Sequence, residues 1–369
     1  KQALENNFDI KISKITIDQK KLEYQKKAAD FDWQLGLGLV VSNNKTYRAY
    51  SFPEALLTKK FQSGVSANLS YSFDFNDYKS NDSIYSSDLE FKFTAPLSKN
   101  SGRDINTTFL KIENNNINIS NLEMLTKMMQ LTADVEKKYW DIIYYIDLLD
   151  LKKQNYKLAE DLLENTKKRA QLGALAPIEI TRAASGVANR EEAIITSENL
   201  VATNKDELLF LLNSNSNDTN IFLYTNLILT DTPAIEKIDL DLRTAVDLAL
   251  KNAPNYNALL KKIENQNIRI KYYENQELPT IDLETTLKLN GADRDWLQTF
   301  EALPKAEARS WLIKLGIKIP IGNNYNKSVS AQERLTLAQL LLDLKKSEQQ
   351  IILNTKARLR DISAAQKKI

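Results

Sequence analysis

Reactive side chains are scarce in this chain, which contains no cysteine and no histidine. Thiol nucleophiles, imidazole acid-base chemistry, Ser-His-Asp triads and the usual zinc ligand sets are thereby excluded. Carboxylates remain, but adjacent pairs such as Glu191-Glu192 read as a solvated helix face. No catalytic residue, metal ligand or cofactor site is assigned, and the chain does not read as an enzyme. Lys plus Arg total 50 against 48 Asp plus Glu, a balance that gives no reason to expect nucleic acid as a partner.

What these side chains can do is partition between water and lipid. Trp33, Leu35, Leu37, Leu39 and Val41 alternate with Gln34, Gly36, Gly38 and Val40, and Leu89, Phe91, Phe93 and Ala95 alternate with Asp88, Glu90, Lys92 and Thr94. Ile281, Leu283, Leu287 and Leu289 alternate with Asp282, Glu284, Thr286 and Lys288. Trp311, Ile313, Leu315, Ile317 and Ile319 alternate with residues that include Lys314 and Lys318. Runs of about ten residues, greasy on one face and polar on the other, are the pattern of strands that face lipid on one side. A half-buried strand of a soluble domain gives the same alternation, so the neighbouring elements must decide.

Those elements are long helices. Apolar residues at Leu4, Phe8, Ile12, Ile15 and Leu22 predict one amphipathic helix over Ala3–Asp30. From Ile105 to Leu172 there is neither proline nor glycine, and apolar residues recur at three- and four-residue steps. A helix of roughly 68 residues spans about 100 Å, far beyond the usual globular helix. Leu172-Gly173-Ala174-Leu175-Ala176-Pro177 then closes it, glycine suiting the position just past a helix and proline the first turn of the next. The return helix runs from Ile178 to about Leu212 and ends at the polar run Asn213–Asn220. No run of about 18 apolar residues is present to make a membrane-spanning helix. Lys1–Ile10 does not resemble a signal peptide, so any such segment is expected outside this chain.

The chain repeats itself. Ala3-Leu4-Glu5-Asn6 aligns with Ala249-Leu250-Lys251-Asn252, Ile17 with Ile263, and Leu35-Gly36-Leu37 with Ile281-Asp282-Leu283. Residues 1–220 read as one helix-strand-strand-helix repeat, with strands near 31–42 and 85–96, the long helix near 105–172 and its tip at 172–177. Residues 241–369 read as a second, with strands near 279–290 and 310–320, and its last helix and tip are expected beyond Ile369. Residues 221–240 form a short mixed segment between them. Asn76–Ser87, rich in Asn, Asp and Ser, reads as a loop. The segment from Tyr50 to Phe75 contains an extra alternating run, Val65 to Phe75, and is either an added extracellular hairpin or a lengthening of a barrel strand.

Four strands cannot close a barrel, and open edges are not tolerated in lipid, so about three copies giving twelve strands is the economical closure. The duplicated unit, the strand exits at Pro96 and Pro320, the stretch VEKKYWDIIYY at Val135–Tyr145 and the turn LGALAPIEITRA at Leu172–Ala183 resemble the TolC-type outer-membrane efflux family. That resemblance implies a homotrimer whose twelve-stranded barrel sits in outer-membrane lipid and whose long coiled-coil hairpins extend into the periplasm, with residues 221–240 in an equatorial belt. It implies a passive exit duct of an efflux pump or type I secretion system, working with a periplasmic adaptor protein and an inner-membrane pump. Leu172, Gly173, Ala174 and Leu175 would meet the adaptor tip. In the family, acidic rings near the second tip constrict the pore, a stretch expected after Ile369, so no gate residue is assigned. Trp33 and Trp311 read as interfacial anchors, whereas Trp140 reads as helix packing. A soluble periplasmic adaptor and a coiled-coil scaffold are the rival readings. Adaptors lack the tandem duplication, and a scaffold would show no apolar belt.

Overall fold

The computed structural model describes residues 1–43, 47–78, 83–212, 227–234, 240–305 and 309–368. The polar run Asn213–Asn220, together with residues 221–226 and 235–239 of the expected equatorial segment, lies outside the described residues.

The chain opens with α1 (Gln2–Asn6) and α2 (Phe8–Ala28), so the single helix expected over Ala3–Asp30 is interrupted at Asn7. Asn7 leaves helical space (ψ 134°), and its Oδ1 accepts the Asp9 amide at 2.9 Å. It thereby caps α2, which side-chain oxygens of Asn do well. The second repeat reproduces the interruption between α6 (Leu242–Asn252) and α7 (Pro254–Gln276), where Pro254 occupies the first turn.

Six strands form one sheet in sequential order, every neighbouring pair antiparallel: β1 (Trp33–Asn43), β2 (Tyr47–Lys60), β3 (Ser66–Tyr78), β4 (Ser83–Pro96), β5 (Thr280–Asp293) and β6 (Arg309–Lys318). The sequence pattern places four strands; β2 and β3 are the additional pair. Most of the loop expected at Asn76–Ser87 is strand as well, because Phe75 pairs with Tyr85 and their rings stack at 4.8 Å. Cross-strand contacts of this kind override the weak strand propensity of Asn, Asp and Ser. Among the described residues the second repeat shows no counterpart of β2 and β3 and carries the short helix α8 (Trp296–Ala302) between its strands.

The remaining helices among the described residues are α3 (Arg103–Asn106), α4 (Thr108–Gln171), α5 (Ile178–Leu212) and α9 (Asn324–Lys368). The 64 residues of α4 span about 96 Å at 1.5 Å per residue.

Contacts divide the chain into two compact units that cut across the sequence repeats. One comprises Lys1–Thr16, Asn121–Ala245 and Ala357–Ile369, the other Ile17–Ser120 and Val246–Lys356. The first unit packs Leu4, Met128, Val135, Leu211 and Leu212 around buried Ala3, Ile10 and Leu131. In the second, α4 and α7 are joined by side-chain amides: Asn115 Nδ2 donates to Asn265 Oδ1 at 2.9 Å, and Asn265 Nδ2 donates to Asn116 Oδ1 at 3.1 Å. Gln266 of α7 reaches the Glu333 carbonyl of α9 at 2.8 Å, and Arg334 pairs with Glu274 at 2.7 Å.

Much apolar surface stays uncovered. Leu158, Leu162, Ile195, Leu335 and Leu353 all remain exposed on the long helices.

Candidate functional site

Residues directly opposite in an antiparallel sheet share a face, so the register settles which side chains stand together. One row runs Leu35, Leu57, Leu69, Phe91, Leu287, Trp311 across all six strands. Trp33, Lys59, Ala67, Phe93, Thr285 and Ile313 form the row on one side of it, and Leu37, Ala55, Tyr71, Leu89, Leu289 and Arg309 the row on the other. Leu283 pairs with Leu315 and Ile281 with Ile317, extending the same face. Leu39 stays on it by alternation along β1, and Ile319 follows just beyond β6. All fifteen strand residues singled out in the sequence therefore belong to a single apolar surface or its immediate continuation, and Trp33, Leu37, Trp311 and Ile317 are each exposed.

The opposite face is polar. Gln34, Thr58, Asn68, Lys92 and Thr286 share a row there, which ends on β6 at Leu312, an apolar exception. Lys92 pairs with Glu284 at 3.1 Å and Lys288 with Asp88 at 3.2 Å, while Asn290 Nδ2 donates to Asp88 at 2.5 Å. The sheet thus separates a greasy side from a charged, hydrogen-bonded side.

β2 keeps its faces aligned by a bulge. Between Ser51 and Glu54 it carries one residue more than either neighbour, and Pro53 sits inside this irregularity, where no ladder donor is needed. Beyond the bulge Tyr50 returns to the apolar side and stacks on Phe75 at 6.2 Å. Phe73, Phe75 and Tyr85 continue an aromatic cluster near the end of the sheet distant from Trp33.

Part of the apolar face is covered by α8. Phe300 stacks on Phe73 at 5.5 Å and on Tyr71 at 6.5 Å. Ser87 and Gly291, paired with each other, are the small residues that leave room for the helix. The Ser87 and Thr299 hydroxyls, both fully buried, hydrogen-bond at 3.2 Å, so the polar atom that interrupts the greasy surface is satisfied. Trp296 and Leu297 remain exposed.

At the other end of the sheet the strands enter a polar junction. The Asn100 amide donates to Asn275 Oδ1 at 2.7 Å, Gln276 Nε2 donates to Asn100 Oδ1 at 2.7 Å, and Asn106 Nδ2 donates to the Asn100 and Gly102 carbonyls. Gly64, in the β2–β3 turn, has φ +94°, and an added Cβ would strike the Asn100 carbonyl, Asn106 Nδ2 at 2.6 Å and Pro96 Cγ at 2.9 Å. The Gly102 amide donates to the Ser63 carbonyl at 3.0 Å, tying that turn to the exit of β4.

In the other compact unit, α4 ends at the turn named above. Gly173 has φ +73°, its amide donates to the Ala170 carbonyl at 3.0 Å, and the Ala174 amide donates to the Arg169 carbonyl at 2.9 Å. This pair of bonds is the Schellman closure of a helix end. Leu172, Gly173 and Ala174 are exposed and Leu175 is half-buried against a groove between α4 and α5 lined by Ala159, Leu162 and Ala183. Away from the turn, Lys138 of α4 pairs with Glu207 of α5 and donates to Asn204 Oδ1 at 3.1 Å; the Glu207 hydrogen bond holds the ammonium above its ordinary pKa. Tyr139 donates to Asp231 at 2.8 Å, fastening the 227–234 segment to α4. Trp140 is partly exposed and meets Tyr139 edge-on.

Sequence reasoning missed Leu57, Ala55 and Tyr50 of β2 as members of the apolar face, and missed α8 altogether. Among the described residues no group of His, Cys, Asp or Glu is placed to hold a metal ion, and no helix is long and apolar enough to cross a membrane.

No family model matches the chain, and no curated protein matches it. Solved structures do. CusC, crystallised in connection with folding and transmembrane channel formation, aligns at TM-score 0.65 and 15% identity over 100% of this chain and 76% of its own. The CmeC outer membrane channel of Campylobacter jejuni aligns at TM-score 0.63 and 15% identity over 97% of this chain and 70% of its own. The outer membrane protein VceC of Vibrio cholerae aligns at TM-score 0.62 and 11% identity, covering 95% and 74%. The two-faced antiparallel sheet continued by long helices is, in this chain, the fold of the TolC-type outer-membrane channels.

Proposed function

We propose that the chain is one protomer of a homotrimeric exit duct in the bacterial outer membrane, extending into the periplasm. It acts as a passive conduit of an efflux pump or type I secretion system and carries out no catalysis. The observation that carries this reading is the sheet: one continuous apolar face, one polar face with cross-strand ion pairs, and two edges, β1 and β6, that find no partner among the described residues. Lipid accepts the first face, a water-filled lumen the second, and neighbouring copies the edges. Exposed apolar residues along α4, α5 and α9 fit a helical wall shared between copies in the same way.

Trp33, Leu35, Leu37, Leu39, Leu89, Phe91, Phe93, Ile281, Leu283, Leu287, Trp311, Ile313, Leu315, Ile317 and Ile319 face lipid in this arrangement. Residues 227–234, held to α4 through Tyr139, belong to an equatorial belt between two repeats, 1–220 and 241–369. The turn Leu172–Leu175 meets a periplasmic adaptor that links the duct to an inner-membrane pump; its exposure and its small residues allow close helix approach. Replacing Gly173 with Trp tests the contact: export of a fluorescent substrate should fall while trimer recovery is unchanged. Undiminished export would remove the turn from the adaptor interface.

A further inference from the structure

We propose that β2 and β3 are wall strands of the barrel, so that three copies close eighteen strands instead of twelve. The inference rests on the duct reading and concerns how the wall is built. An extracellular hairpin added to a four-stranded contribution would leave β1 paired with β4. Here β1 pairs with β2, and β4 pairs with β3 and β5. The hairpin is the bond between β1 and the rest of the sheet.

Register supports the same conclusion. β2 and β3 pair from Lys60 with Ser66 to Tyr47 with Tyr78, as long a ladder as that between β4 and β5. Leu57 and Leu69 stand in the apolar row between Leu35 and Phe91, while Thr58 and Asn68 stand in the polar row between Gln34 and Lys92. The bulge at Pro53 preserves that division, which a solvated extracellular hairpin would not need. Of the charges on the greasy side, Lys59 lies in the row of Trp33 with its ammonium 5.4 Å from the indole centroid, at the margin where a lysine reaches water, and Arg309 lies at the start of β6. The β2–β3 turn is seated in the polar junction beneath β4 through the Gly102 to Ser63 hydrogen bond. It therefore turns at the level where the other strands meet their helices.

Six antiparallel strands leave β1 and β6 running in opposite directions, so β6 of one copy continues the sheet beside β1 of the next without breaking the alternation. Barrel diameter grows roughly linearly with strand number, making this barrel about 1.5 times as wide as a twelve-stranded one, in the range that holds an aqueous channel. The ion pairs Lys92–Glu284 and Asp88–Lys288 then line a broad hydrated mouth.

The absence of native cysteine allows a direct test. Single substitutions Leu57→Cys, Ala55→Cys and Leu69→Cys on the hairpin, Thr58→Cys and Asn68→Cys opposite them, and Leu35→Cys and Phe91→Cys as references are labelled with an environment-sensitive fluorophore in the full chain. The labelled proteins are reconstituted into vesicles containing brominated phospholipid. The expected result is quenching at positions 55, 57 and 69 within about twofold of that at 35 and 91, with 58 and 68 quenched by aqueous iodide instead. Lipid quenching at 35 and 91 but none at 55, 57 and 69 overturns the eighteen-stranded wall and leaves the duct standing. No lipid quenching at any position overturns both. Two hairpin positions on β2 and one on β3 ensure that a single misfolded variant does not decide the outcome.

Discussion

Gly64 and Gly173 both have positive φ, +94° and +73°, but they differ in surroundings. A methyl group at position 173 meets nothing within 4 Å, so Gly173→Ala should cost only the left-handed backbone penalty, about 1–2 kcal/mol. At position 64 the same methyl group enters the space of the Asn100 carbonyl, Asn106 Nδ2 and Pro96 Cγ, and two of these are held by the hydrogen bonds of the junction. Overpacking of that kind adds roughly 1–3 kcal/mol, so Gly64→Ala should lose about 2–5 kcal/mol per protomer in all. Denaturant titration of detergent-solubilised protein, followed by tryptophan fluorescence, ranks the two. The turn also seats β2 and β3, so Gly64→Ala should reduce the yield of assembled protein, whereas Gly173→Ala should not. Equal midpoints and equal yields for the two variants would refute the claim that the β2–β3 turn is built into the junction.

Three further outcomes follow from the same geometry. Leu57→Arg places a charge on the lipid side one row in from the Lys59 margin and should cost about 1–2 kcal/mol, between the interfacial and midplane values, while Thr58→Arg, one residue away on the polar face, should be tolerated; membrane insertion yields compare them. Thr299→Val leaves the buried Ser87 hydroxyl unpaired at a cost of about 1–3 kcal/mol, and adding Ser87→Ala should recover most of the loss, as a thermal-shift series can show. Lys261, and after it Asn115, hold Glu264 below its ordinary value of 4.5. A lowered folded-state pKa means that its contribution is complete above the ordinary value and disappears as pH falls through the lowered one. Thermal stability should therefore be unaffected by this group above pH 4.5, fall as pH drops below 4.5 toward the lowered folded-state value, and lose that increment of pH dependence in Glu264→Gln.

The parts of the fold visible in the sequence are those where one periodicity runs undisturbed. β4, β5 and β6 alternate cleanly, and α4 has no glycine or proline along its length. The structure departs from the pattern where tertiary contacts decide. Pro53 and the bulge around it break the alternation that would have marked β2 as a strand. The polar residues from Asn76 onward hide the ladder that Phe75 and Tyr85 make. Asn7 reads as an ordinary helix-surface residue until its side chain is seen capping α2 and reaching the Leu211 carbonyl at 3.3 Å. α8 is too short for periodicity to register, and its anchor, Thr299 on Ser87, joins residues 212 positions apart. For the apolar face, the alternation named its members on four strands, and only the register showed that six strands share it.

The most direct measurement is the state of the full chain taken from cell envelopes. The account predicts that it stays with the outer-membrane fraction through salt and carbonate washes, is released by detergent alone, and has, after subtraction of bound detergent, three times the mass of its own denatured protomer. A monomer recovered in detergent-free buffer would contradict it.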